Sequence, residues 1–210
     1  MNPTPGHFKI CGITNPEDAK AVSELGFGAA GFILHPGSPR YVSPDQINNL
    51  RSFLNPFVKT VGVTVNLGLE EIRQILSVSG VDLIQLHGNE TPEFCQTLIQ
   101  EKINYIKAFR LGADNPLPDF DAYPPGYFLL DAYSQKEFGG TGKTVDKGLA
   151  RKLCAKYPVI LSGGINADNW AGIWKDTAPV AMDLSSGVEK MPGLKNHIEL
   201  KRLRNSIIRY

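Results

Sequence analysis

What this chain lacks narrows it first. No stretch approaches the ~18 uninterrupted apolar residues of a membrane-crossing helix, and the opening MNPTPGHFK has no apolar signal core. A cytoplasmic protein with no membrane partner is therefore expected. Cysteine is scarce: Cys11, Cys95 and Cys154 make an odd count with no C-x-x-C pair. That argues against a disulfide scaffold or structural zinc and for a reducing compartment. His7, His35, His87 and His197 show no H-E-x-x-H spacing, so no metal site is expected. An excess of charge is missing too, with 22 Lys and Arg against 21 Asp and Glu. No broad field favours nucleic acid, and any phosphate has to be gripped locally. No low-complexity linker or break in composition divides the chain, so residues 1–210 read as a single domain.

What is present is a rhythm. Short β-rich runs recur at FKICGI (8–13), GFIL (31–34), KTVGVTV (59–65), DLIQLHG (82–88), YIKAFR (105–110), YFLLDA (127–132), PVILSGG (158–164) and VAMDLSSG (180–187). Their spacing of about 25 residues is near the compact end for a (β/α)8 barrel. Amphipathic segments lie between them. PEDAKAVSELG has Asn15 as its cap, Pro16 at the first position and Gly26 at its stop. LEEIRQILSVSG, TPEFCQTLIQEK, VDKGLARKLCAKY with Asp146 as cap, and HIELKRLRNSIIRY read as helices too. Strand–helix alternation predicts a parallel sheet, and eight units favour closure over an open doubly wound sheet. LGADNPLPDFDAYPPG, between the fifth and sixth strands, carries four prolines and no helical period. A loop or a 3₁₀ turn is expected there in place of a full helix.

In a parallel barrel the reactive rim is where strands finish. Here they finish in Cys11-Gly12, Gln85-Leu86-His87-Gly88, Arg110, Asp131, Ser162-Gly163-Gly164 and Asp183-Leu184-Ser185-Ser186-Gly187, and the second leads to Ser38-Pro39-Arg40. Cys11 reads either as a small buried hydrophobe or as a reagent at a strand tip. Lys9 shares its parity, so both side chains should face the barrel axis while Phe8 and Ile10 face the helices. An ammonium beneath the thiol would favour thiolate; a lysine that snorkels outward would do nothing. Asp131 is either a turn cap or a general acid. Asp183 either serves a ligand or neutralises Lys9. Arg40 suits a carboxylate or phosphate, against an ordinary surface arginine, and Arg110 has the same two readings more weakly. For His87 the default is a ring satisfied by backbone. Cys95 and Cys154 fall in helical segments and read as packing.

GGTGK (139–143), SGG (162–164) and SSG (185–187) could cradle an anion on backbone N–H groups. After the last two barrel strands such turns are the usual phosphate seat. GGTGKT is not a nucleotide loop, because Glu137 stands where a Walker loop needs glycine. Val145 replaces the third glycine of a dinucleotide fingerprint. The stretch reads better as a loop closing over a ligand.

KICGIT, SPRYV, QLHG, LLDA followed by GGTGKT, LSGGI and DLSSGVE-x-x-PG, in this order, resemble the phosphoribosylanthranilate isomerases of tryptophan biosynthesis. The resemblance covers almost the whole chain. It implies a single (β/α)8 TIM barrel with a degenerate or missing fifth helix, and an Amadori rearrangement of a small phosphoribosyl-anthranilate substrate. That reaction needs an acid and a base but no cofactor and no metal. Carried over by motif, Cys11 is the base and Asp131 the acid. Arg40 holds the anthranilate carboxylate. Gly140, Gly142, Gly164, Ser186 and Gly187 surround the phosphate, and Asp183 touches a sugar hydroxyl. The chain departs from the family pattern at His35-Pro36-Gly37, Val145 and Asn196, which bears on affinity and loop closure. The sequence leaves monomer and homodimer both open. Two rivals stand beside it: a thiol hydrolase or transferase with Cys11 as nucleophile and His87 as its partner, and a non-catalytic sugar-phosphate-binding barrel.

Overall fold

The computed structural model describes residues 2–111, 117–131 and 147–210, and nothing of the Lys147 side chain. Eight parallel strands close into a barrel in chain order: β1 (Phe8–Cys11), β2 (Ala29–Ile33), β3 (Lys59–Thr64), β4 (Leu83–Leu86), β5 (Tyr105–Arg110), β6 (Tyr127–Asp131), β7 (Val159–Ser162) and β8 (Ala181–Leu184). Helices α1 (Pro16–Glu24), α2 (Pro44–Arg51), α3 (Leu69–Ser79) and α4 (Pro92–Gln100) follow the first four strands. Three more, α5 (Lys147–Lys156), α6 (Trp170–Thr177) and α7 (His197–Ile208), follow the last three. A short antiparallel hairpin, β9 (Glu189–Met191) and β10 (Leu194–Lys195), stands outside the barrel before α7.

Capping chemistry starts the helices where the sequence offers it. The Asn15 side chain accepts from the Asp18 N–H at 2.8 Å, with Pro16 just inside. Helix α2, which the rhythm of apolar runs did not reveal, opens with a Ser43/Gln46 capping box and Pro44. Helix α6 was missed as well, although Trp170, Ile173, Trp174 and Thr177 follow a clean i, i+3, i+4, i+7 stripe and are all buried.

Strand parity sorts the side chains into two cores. Phe8 and Ile10 point outward into the helical layer, where Phe8 meets Trp170 edge-on at 5.4 Å and stacks on Trp174 at 6.1 Å. Inside the barrel, Val61, Ile106, Ala108, Leu129 and Ile160 form a separate apolar plug. The fifth β–α unit is the odd one, as its prolines predict. Among the described residues its link carries only a one-turn 3₁₀ helix at Phe120–Ala122. Aromatic rings cover that flank instead. Phe120 packs on Phe109 at 5.0 Å, Tyr157 at 5.2 Å and Phe128 at 5.3 Å, and Tyr123 packs on Phe109 at 5.1 Å. Cys95 lies in the outer core and Cys154 packs against it, so both serve packing.

Candidate active site

A cavity of about 330 Å³ opens at the mouth where the strands end, and every strand places one side chain in its wall. These are Cys11, Ile33, Val63, Gln85, Arg110, Asp131, Ser162 and Asp183. All have the parity of the apolar plug, so the cavity sits above it on the barrel axis. The ladder aligns part of this ring residue by residue: Lys9 pairs with Asp183, Asp183 with Ser162, Ser162 with Asp131, and Asp131 with Arg110. Arg40, Gly164, Ser186 and Gly187 also line the cavity. Gly140, Gly142, Val145 and Asp146 lie outside the described residues.

The tip of β1 is tightly built. Lys9 Nζ donates to Asp183 Oδ1 at 3.0 Å, with both side chains buried. Cys11 lies opposite Gly31 in the ladder, and a Cβ on Gly31 would sit 2.8 Å from Cys11 Sγ and 2.9 Å from Lys9 Cε. Only glycine leaves room for both groups. Gly12 has φ +82°, and a Cβ there would lie 2.7 Å from Arg40 Cδ, so the glycine after the cysteine lets the Arg40 stem cross the strand end.

The Lys9 ammonium favours the thiolate, as strand parity suggests, but it does not decide the balance. Lys9 does approach the thiol, but the Cys11 pKa lies above the ordinary thiol value. Burial pushes it up most strongly, Lys9 and Lys195 pull it down, and Asp183 adds a further upward push. Lys9 lowers the thiol pKa by less than burial raises it, and its ammonium already has a counter-ion at 3.0 Å. For Lys9 itself, burial acts downward, yet Asp183 and Cys11 overcome it and hold the ammonium above the ordinary lysine value.

Arg40 is not a loose surface arginine. Its Nε donates to both Glu189 oxygens, at 3.0 and 3.1 Å, and its Nη2 donates to Oε2 at 2.6 Å. Glu189 also accepts from Lys195 Nζ at 2.7 Å, and the same ammonium donates to the Cys11 carbonyl at 2.5 Å. Burial raises the Glu189 pKa, but the two cations overcome this and hold the carboxyl below the ordinary glutamate range. Burial pulls Lys195 below the ordinary lysine value in spite of Glu189. Sequence reading did not single out either residue. Both lie in the stretch DLSSGVEKMPGLK, and what joins them is the hairpin register, Lys195 opposite Glu189.

His87 also departs from its default. Its ring partners are side chains, not backbone: Gln85 Nε2 donates to Nδ1 at 2.9 Å, and Asp131 Oδ2 lies 3.6 Å from Nε2. The Asp131 side chain is 38 % exposed, open to the cavity.

The two glycine turns meet at the far side. A Cβ on Gly187 would sit 2.0 Å from the Ile165 carbonyl oxygen, so the turn after β8 presses directly on the turn after β7. Gly163 and Gly164 both have positive φ, and among the described residues their N–H groups donate to no protein acceptor. Such paired amides suit an anion. Of the family departures, His35 lines the cavity, while Asn196 caps α7 by accepting from the Ile198 N–H at 3.1 Å.

A closed parallel (β/α)8 barrel with a polar cavity at its C-terminal mouth and an anion-suited turn pair after β7 and β8 is the architecture of a TIM-barrel enzyme for phosphorylated substrates. The family described as N-(5'phosphoribosyl)anthranilate (PRA) isomerase matches residues 8–205, and the chain belongs to it. The N-(5'-phosphoribosyl)anthranilate isomerase of Pelobacter propionicus is 40% identical over 193 residues, which is 92% of this chain and 91% of that protein. A phosphoribosyl anthranilate isomerase solved with reduced 1-(o-carboxyphenylamino)-1-deoxyribulose 5-phosphate superposes with TM-score 0.80 at 34% identity, covering 97% of this chain and 99% of that one. Monomers generated from the dimeric isomerase of Thermotoga maritima superpose with TM-score 0.79 at 32% identity, covering 97% and 99%.

Proposed function

We propose that this chain isomerises N-(5'-phosphoribosyl)anthranilate to 1-(2-carboxyphenylamino)-1-deoxyribulose 5-phosphate. In this reading Asp131 gives its proton to the ribose ring oxygen while the anilino nitrogen's lone pair opens the ring to a protonated Schiff base. The Cys11 thiolate then removes the C2′ proton. The electron pair left at C2′ moves into the C1′–C2′ bond and neutralises the nitrogen as an enolamine. Protonation at C1′ and loss of the C2′ hydroxyl proton give the ketose. The reaction is internal and redox-neutral, so atoms and electrons balance without a co-reactant.

Arg40 takes the anthranilate carboxylate, and Gly164, Ser186 and Gly187 take the phosphate, with Gly140 and Gly142 assigned by motif alone. Asp183 touches a sugar hydroxyl besides neutralising Lys9. The observation that carries the reading is convergence: Cys11, Arg40 and Asp131, spaced 29 and then 91 residues apart along the chain, line one cavity with the turns after β7 and β8. The experiment is to add purified protein to freshly prepared phosphoribosylanthranilate and follow the loss of its fluorescence, with spontaneous breakdown subtracted. A decay no faster than the blank rejects the reading.

The chain acts as one barrel, as monomer or homodimer, which light scattering on the purified protein decides. Its place is the cytoplasm. All three cysteines are free, and among the described residues no helix is long and apolar enough to cross a membrane.

A further inference from the structure

We propose that Glu189 is a positioning residue of this site, holding the Arg40 guanidinium at a fixed reach and angle from the Cys11 end of β1. The proposal rests on reading Arg40 as the clamp for the substrate's carboxylate. Glu189 itself lies behind the cavity wall: its side chain is 3 % exposed against 20 % for Arg40. It is therefore placed to act on Arg40 rather than on a ligand.

The geometry of the pair is specific. Glu189 occupies the side edge of the guanidinium, the edge made by Nε and Nη2. A guanidinium is planar and carries five N–H donors in a rigid fork. Gripping its side edge fixes the plane and leaves the end fork, Nη1 with the outer N–H of Nη2, to receive one more planar carboxylate. Without such a grip, the long side chain would sample many rotamers before meeting substrate.

The other side of Glu189 reaches the base. Lys195, fully enclosed, spans from Glu189 Oε1 at 2.7 Å to the Cys11 carbonyl at 2.5 Å. The Gly193 N–H adds a bond to Oε1 at 3.3 Å from the hairpin tip. Arg40, Glu189, Lys195 and Cys11 thus form one chain of charge-assisted contacts from the carboxylate clamp to the thiol-bearing strand. The β9–β10 hairpin, which adds nothing to the barrel sheet, supplies both middle members.

The test is a double-mutant cycle on phosphoribosylanthranilate turnover. E189Q keeps the shape and removes the charge. In the Arg40 background we expect KM to rise about tenfold or more, with kcat changing by less than about threefold. In the R40A background the same substitution should alter KM by less than about twofold, because the guanidinium that Glu189 positions is gone. Where E189Q does not accumulate as folded protein, E189D, which keeps the charge and shortens the reach, carries the same two comparisons. An E189Q enzyme with wild-type KM overturns the proposal. So does an equal rise in KM in both backgrounds, the mark of a general structural effect. If R40A alone leaves KM unchanged, the clamp reading fails and the role of Glu189 falls with it. If R40A raises KM and the Glu189 variants do not, the positioning role alone is rejected.

Discussion

Lys9 and Asp183 sit side by side in the β1–β8 ladder and close a 3.0 Å ion pair inside the barrel, directly beneath the Cys11 thiol. The two charges act on the thiol in opposite directions, Lys9 lowering its pKa and Asp183 raising it. K9M should therefore raise the pH at which Cys11 is alkylated by iodoacetamide, and D183N should lower it. Peptide-resolved mass spectrometry separates Cys11 from Cys95 and Cys154. Each variant also leaves a buried charge alone, which costs about 3–5 kcal/mol, so both should melt earlier. Shifts of the same sign would refute the opposed-charge account.

Cys11→Ala and Asp131→Asn should each reduce kcat by about 10²–10⁴-fold, the usual worth of a positioned acid or base. Neither change empties a large volume, and Asp131 is partly exposed, so circular dichroism melts should stay near wild type. Wild-type turnover in either variant would reject its assigned role.

The pH profile has a defined sign. Burial holds Cys11 above the ordinary thiol value, so at neutral pH the free protein carries mostly thiol. The rate at which iodoacetamide alkylates Cys11, which reads the thiolate alone, should climb about tenfold per pH unit from neutrality toward the ordinary thiol pKa of ~8.5, with no plateau below it. A flat profile from pH 7 to 8.5 would mean that Cys11 is already ionised, against the burial argument.

Phe120 sits at the centre of the aromatic cluster that stands where other units carry a helix, touching Phe109, Phe128 and Tyr157. Phe120→Ala should cost about 3–5 kcal/mol, the range for emptying a buried phenylalanine. Chemical denaturation measures this directly. A loss under about 1 kcal/mol would show that the flank is held by something else.

The barrel was legible because its signals are local and repeated: eight short β-rich runs at a spacing of about 25 residues. Helices α2 and α6 escaped because each is only eight residues long, even though Ser43 and the Trp170/Trp174 stripe announce them. At the site, strand parity was enough to put Lys9, Cys11, Asp131 and Asp183 inside. It could not disclose Glu189, whose partner Arg40 lies 149 residues away in sequence and meets it only through the hairpin. Nor could it give the direction of the thiol shift. That depends on how much of Lys9's charge Asp183 takes up and on how dry the strand tip is. The His87 ring was misjudged for a similar reason, since its partner Gln85 lies on the same strand end but Asp131 arrives from two strands further round.

The apolar plug of Val61, Ile106, Ala108, Leu129 and Ile160 has a consequence for how such a protein can change. It forms a floor between the rim and the lower half of the staves, so replacements among the upper side chains leave the tightest packing untouched. Selection can revise which sugar derivative is accepted without renegotiating whether the cylinder closes. The Lys9–Asp183 couple joins the two layers, because Asp183 lines the cavity and also closes the ion pair inside the barrel.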